Sequence, residues 1–435
     1  MSKSDKRTII VAGVALVLCM GMNAYFYSLE GARGFYVWWN TSLLRWLFAM
    51  GLIPLTVALL AFPLGKLASK KPAAAVRGIS LALSALVCVA SIGITVLLVV
   101  GPRQGKVEPA RLELIDPGLG IAARGSSAGQ ALMSSGLSGG DGAAGAASPT
   151  SASGAAETGV PAVFLRLSFS SDPHWGADTS DAAARDEILA SVAEHRPDAF
   201  FMLGDTVQTG SSSTQWNSAL ADLEAIIPKV PLRVLMGNHD ALLGGQYLYR
   251  TIFFPKGFSS DSGSPYYYSI DAGSALIVVL DLPWGTENFG NKQRSWLEKT
   301  LAAADPSKPL IVLSHSFFYA SGYDDPDMDK PWYDHRENIP AIAPLFEKYG
   351  VDLVVSGHNH YQELLEHAGV TYVVVGAMGG IPDPAPSYIS PAQVWMAPPA
   401  SFGRLDVDVA PGKLLLSFRD AAGGLLKEAV VPYLR

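Results

Sequence analysis

The chain has 435 residues, a net charge of -7 and 49% hydrophobic residues, with a pI near 5.6 and a mean hydropathy of +0.23. The acidic balance lacks the basic footprint with which nucleic-acid binders neutralise phosphates. Cys19 and Cys88 are the only cysteines, which excludes a disulfide framework and a cysteine-based zinc site. So apolar a composition at this length points to membrane segments joined to a globular part with a large core.

Residues 8–29, 42–62 and 79–100 are each long enough to cross a hydrocarbon core as a helix, with only Arg45 charged within them. Lys3, Lys6 and Arg7 precede the first, and Lys66, Lys70, Lys71 and Arg77 lie between the second and third, against Arg33 alone in the first loop. That bias makes the basic side cytoplasmic. The expectation is an integral protein of a bacterial inner membrane, with everything beyond residue 100 outside the cytoplasm. Tyr36, Trp38 and Trp39 in the first loop suit either a headgroup interface or packing on the helices.

Residues 118–159 are Gly, Ala and Ser with almost no large apolar side chains, a composition that cannot repay the entropy of ordering. The division is then a membrane region over 1–106, a linker over 107–160 and a domain over 161–435. A flexible coil of roughly 40 residues spans about 35 Å root-mean-square, so the domain stays near the membrane yet can reorient.

Past residue 161 the hydrophobic pattern alternates between strand and helix. Strands are predicted at 163–170, 199–203, 230–236, 266–270, 275–280, 310–313, 353–355, 371–375, 405–409 and 414–418, and helices at 182–194, 216–227, 292–304 and 339–349. The fold class is a layered α/β domain, two sheets flanked by helices.

Several of these strands end in residues suited to metal binding. Asp172-Pro173-His174 follows the first, Gly204-Asp205 the second and Gly237-Asn238-His239-Asp240 the third; His315 follows 310–313 and Gly357-His358-Asn359-His360 follows 353–355. The carboxyl edge of an open α/β sheet is where ligands bind. Each piece alone has a structural explanation as a turn or a hydrogen-bonded histidine, although His-x-His on an extended segment presents both rings to one face. Oxygen donors mixed with imidazoles suit divalent Mn, Fe, Zn, Co or Ni. His195, His335 and His367 lack such a context and read as surface or loop residues.

This ordered series resembles the calcineurin-like metallophosphoesterase superfamily over residues 161–435. The resemblance implies a two-metal centre bridged by Asp205, with Asp172, His174 and His360 completing one site and Asn238, His315 and His358 the other. It implies hydrolysis of a phosphoester by attack of a metal-bridging hydroxide, with His239 as general acid and Asp240 as its orienting partner. Purple acid phosphatases in this superfamily carry a tyrosine a few residues after the bridging Asp. Here the segment reads Asp205-Thr206-Val207-Gln208-Thr209, so an iron-tyrosinate centre is not expected. The other readings are a diesterase or pyrophosphatase acting on a lipid-linked or envelope substrate, and a non-catalytic metal-binding envelope sensor or scaffold.

Two loops are candidates for the mouth of such a site, 317–338 and the proline-rich 379–399. Asp325, Asp327 and Asp329 mimic the start of a calcium-binding loop, but Lys330 and Arg336 stand where a glycine and a glutamate are needed, so the stretch reads as a solvated acidic loop.

Overall fold

In the computed structural model the described residues are 2–27, 41–64, 71–100, 107, 163–226, 230–254, 258–324 and 331–433. The predicted linker beyond Val107, the aromatic residues of the first loop and the acidic stretch 325–330 lie outside them. The three apolar segments form helices α1 (Lys3–Tyr27), α2 (Thr41–Leu64) and α3 (Lys71–Val100), which pack on one another. Arg77 pairs with Asp5 at 2.6 Å, and Cys19 Sγ lies 3.5 Å from Ser91 Oγ, both pairs being 72 residues apart in sequence. The common offset makes α1 and α3 parallel, and Ser80 Oγ donates to the Pro54 carbonyl of the intervening α2 at 2.8 Å.

Among the described residues, Lys71–Gly93 is the stretch long and apolar enough to cross a membrane by length and composition. The other two predicted crossings are observed as helices. α1 begins among Lys3, Asp5, Lys6 and Arg7, and α2 carries Pro54 and Pro63.

The remaining described residues build two sheets packed face to face. The six-stranded sheet runs β13 (Leu425–Pro432), β12 (Lys413–Asp420), β11 (Gly403–Ala410), β1 (Leu165–Ser170), β2 (Ala199–Met202), β3 (Leu232–Val234). The seven-stranded sheet runs β10 (Gln393–Met396), β8 (Gln362–His367), β9 (Val370–Val375), β7 (Leu353–Ser356), β6 (Leu310–Leu313), β5 (Leu276–Val279), β4 (Tyr268–Asp271). Between them lie Leu167, Phe169, Phe201, Ile277, Ile311, Val355 and Val407, all buried.

Helices close the outer faces. On the six-stranded sheet, α4 (Ala182–His195) and α5 (Ser213–Ile226) bring Ile188, Leu189, Val192, Trp216 and Leu220 onto Phe200 and Met202. On the other, α8 (Asn291–Ala302) and α9 (Asn338–Tyr349) bring Leu297, Leu301, Ile342 and Phe346 onto Val278, Val312 and Val354. Two short helices come between these pairs, α6 (Asn238–Ala241) and α7 (Gln246–Phe253). Strands covered on both faces read as continuous apolar runs, which is why β2, β5, β6, β7 and β9 were legible, whereas β1 (LRLSFS) was legible from its alternation of apolar and polar residues. Three strands were not: β8 mixes polar and apolar residues (QELLEH), and β10 and β13 are edge strands with half-buried and largely exposed side chains respectively. β10 also means that 379–399 is not loop throughout.

β1, β2 and β3 are mutually parallel, as are β5, β6, β7 and β9. The strands that precede the candidate ligands therefore all point the same way within each sheet, and their carboxyl ends deliver those residues to one edge.

Candidate metal centre

The structure brings all seven candidate ligands together. Asp172, His174 and His360 form one group of donor atoms within 4.8 Å of one another, and Asp205, His315 and His358 form another. Asp205 joins them. Its Oδ2 lies 3.6 Å from His174 Nε2 and its Oδ1 lies 3.5 Å from His315 Nε2, so one carboxylate turns an oxygen toward each group. On the first side, Asp172 Oδ1 is 3.4 Å from His360 Nε2 and 3.7 Å from His174 Nε2. On the second, His315 Nε2 is 3.0 Å from Asn238 Oδ1 and 3.1 Å from His358 Nδ1.

The backbone bends sharply to achieve this. Asp172, His174, Asp205 and His358 all have φ between 47° and 71°, the left-handed region that non-glycine residues seldom occupy; such strain concentrates at functional sites. At His358 the chain is consequently not extended, and the His-x-His pair does not share a face: His358 goes to one group and His360 to the other. Gly237 is required because a Cβ there would overlap Asp205.

Three of the four ligand rings are held through the nitrogen turned away from the centre. His315 Nδ1 donates to the Leu203 carbonyl at 2.8 Å, His174 Nδ1 meets Gln208 Oε1 at 2.9 Å, and His360 Nδ1 meets the Ile381 carbonyl. Such partners fix tautomer and orientation. Asp172 Oδ2 accepts from the His358 amide at 2.9 Å, and Asp205 Oδ1 from the His239 amide at 2.7 Å. That leaves Asp172 Oδ1 and His174 Nε2 buried with no hydrogen-bond partner. Buried polar atoms are normally satisfied, and a cation between them meets the need of both, so the donor set fits two divalent ions.

Burial opposes charge at His315 and His360, but the Asp205 and Asp172 carboxylates push them up to about 9 and about 10 respectively. Without metal, protons on these rings balance the carboxylates. Because both values are raised above the ordinary histidine value, this pairing stabilises the metal-free domain below pH 6.5 and fades as pH climbs through 9 to 10. Metal loading has to displace the same protons, so affinity should rise over that range. Calorimetry at pH 7 in buffers of different ionisation enthalpy should detect about two protons released as the centre fills; loading without proton release would contradict the assignment.

His239 and Asp240 require a correction. The His239 ring lies edge-on to His174 with centroids 4.7 Å apart, and its Nδ1 donates to the Gln208 carbonyl at 2.9 Å. Asp240 is not its orienting partner. The Asp240 carboxylate is fully buried and accepts from the Gly237 amide at 3.0 Å, the Val207 amide at 3.1 Å and the Thr206 backbone. It thereby ties the segment after Asp205 to the segment carrying Asn238. The expected pairing failed because Asn238–Ala241 is a helical turn, on which successive side chains diverge. Burial, with Asp205 adding to it, pushes Asp240 up to about 7, while burial pushes His239 down.

Asp240→Ala should therefore destabilise the domain, by about 1–3 kcal/mol for each amide left without an acceptor, and loosen metal binding. Asp240→Asn should leave the pH–rate profile in place. Thermal unfolding and that profile distinguish the roles, since a displaced profile in Asp240→Asn would restore the direct link to His239.

Two contributors were missed from sequence. Gln208 holds His174 by its side chain and His239 by its carbonyl, and nothing in the segment Asp205-Thr206-Val207-Gln208-Thr209 marks it out. Asp383 accepts from the His360 amide at 2.8 Å, from Tyr323 Oη at 3.0 Å and from Trp332 Nε1 at 3.3 Å. It binds both candidate mouth loops to a ligand, a role with no local signal in a proline-rich stretch. Beside His358, Trp284, Phe317, Trp332, His335 and Arg336 line a small cavity of about 30 Å³. Of the other histidines, His195 is half-buried, 3.6 Å from Asp406, His335 meets the Trp284 carbonyl at 3.0 Å, and exposed His367 stacks on Tyr319.

Residues 165–362 match the family model for calcineurin-like phosphoesterases. The chain is 26% identical over 237 residues to purple acid phosphatase 15 of Arabidopsis thaliana, covering 44% of this chain and 42% of that protein. It is 30% identical over 173 residues to the Fe(3+)-Zn(2+) purple acid phosphatase 12 of the same plant, covering 38% and 34%. The chain thus spans less than half the length of these relatives. Others are described as probable inactive purple acid phosphatases.

The solved structure of purple acid phosphatase PPD1 from Lupinus luteus seeds superposes with a TM-score of 0.53 at 20% identity, covering 63% of this chain and 54% of that one, a likeness of fold alone. Residues 165–362 thus resemble calcineurin-like phosphoesterases in sequence, and the two-sheet fold is of the same kind as that of the lupin phosphatase.

Proposed function

We propose that the chain is a membrane-anchored, binuclear metal-dependent phosphoester hydrolase. The observation that carries the reading is Asp205, whose two carboxylate oxygens face two separate, otherwise complete donor groups. When bound, two cations at these donors supply Lewis-acid polarisation of the phosphoryl oxygens and lower the pKa of water for in-line attack on phosphorus. His239 acts as general acid from Nε2 in its imidazolium form, its Nδ1–H held on the Gln208 carbonyl and its charge favoured against burial by the Asp205 carboxylate; the Nε2 proton passes to the leaving oxygen as the P–O bond breaks, leaving the neutral ring. A non-catalytic metal-binding sensor has no need of the acid beside a complete ligand set.

The anchor is supported by the three packed helices, by the membrane-length stretch Lys71–Gly93 and by exposed Val14, Val17, Leu59, Leu60, Leu86 and Val89 on their outer surfaces. The basic residues of the sequence favour a catalytic domain outside the cytoplasm.

The full chain loaded with Mn²⁺ should hydrolyse an aryl phosphate monoester or diester. No turnover above an Asp205→Asn control with any divalent metal would sink the enzyme reading. Protease added to spheroplasts should cut between the helices and the domain; an uncut chain would refute the orientation.

A further inference from the structure

The segments that carry metal-centre residues also carry exposed apolar side chains. Leu243 is 47% exposed and follows His239 by four residues, in the turn Leu242–Gly244. Ile381 is 51% exposed and lends its carbonyl to His360, while a Cβ on neighbouring Gly380 would meet His174 and His360. Ile389, 53% exposed, sits between Tyr388 and Ser390, whose hydroxyls both donate to Asp334.

Single exposed hydrophobics are ordinary on a protein surface. These differ in two respects. Leu243 has a φ of 53°, a conformation that favours asparagine or glycine, so neither the backbone nor the core accounts for a leucine there. The turn that carries it also rests against α3, the helix containing the membrane-length stretch Lys71–Gly93. Leu243, four residues past His239, is therefore carried on a turn in contact with the element that would lie in the bilayer.

We infer that Leu243, Ile381 and Ile389 form a rim that receives the hydrocarbon chain of a membrane lipid, and that the ester hydrolysed at the metal centre is a lipid phosphate. This rests on the reading of the chain as an anchored phosphoesterase. The phosphate reaches the metals while the chain stays against the rim and the adjoining bilayer, and each methylene so buried strengthens binding by up to about fourfold.

The test uses the full, metal-loaded chain in phosphatidylcholine vesicles turning over a soluble aryl phosphate, inhibited by either butylphosphonate or hexadecylphosphonate. The long-chain inhibitor should be at least about tenfold more potent. In a Leu243→Asn, Ile389→Ser double variant the two should come within about threefold of each other. Potency is compared within each protein, so a smaller folded fraction in the variant cancels. Equal potency in the unaltered chain overturns the inference. So does a chain-length preference kept in full by the double variant, which would reflect partition into the vesicle alone. Absence of aryl phosphate turnover with any metal is a different failure, that of the underlying enzyme reading, and removes this inference with it.

Discussion

Asp205→Asn should empty both metal positions together. The substitution keeps the size of the side chain and the oxygen that accepts from the His239 amide, so the loop can still close. It removes the charge that faces His174 on one side and His315 on the other. Losing an outer partner of a metal ligand typically costs 10–100-fold in affinity, and losing a bridging carboxylate should cost more than about 100-fold at each position on that scale. Metal analysis after gel filtration should find fewer than one ion per chain, with turnover lost in parallel. Two ions retained per chain would refute the bridging role, and one retained would confine Asp205 to a single site.

His239→Ala should separate chemistry from metal binding. A positioned general acid contributes about 10²–10⁴-fold, and kcat should fall by that factor with metal content unchanged, because the ring is anchored by Gln208 and not by a ligand. The loss should be largest for esters with basic leaving groups and small for aryl phosphates whose leaving oxygen needs little protonation. A loss independent of leaving-group basicity would remove the acid role. Loss of an ion would make His239 a ligand, an outcome its place beside His174 and Asp205 gives a structural basis.

The donor set was legible because each member follows a strand, most of them short apolar runs ended by glycine or a polar residue and the first an alternating one, LRLSFS. Asp172, His174, Asp205, Asn238, His315, His358 and His360 were all placed by that signal and by the resemblance it supports. The three apolar helices were legible by length and composition, and their ends moved by up to eight residues, as at Lys71 where the third begins in place of residue 79.

What the sequence by itself determined, then, is which residues arrive at the sheet edge, since hydrophobic period and strand order are local properties. Only the tertiary structure decided how their side chains divide the work. Asp240 follows His239 in sequence, yet a helical turn sends its carboxylate to the backbone at 206, 207 and 237, and the His239 ring finds Gln208, 31 residues away. Asp383 reaches the His360 amide from a segment with no pattern of its own. Hydrogen bonds between remote segments depend on where the packed sheets bring the chain, and that placement is written in no short stretch of it.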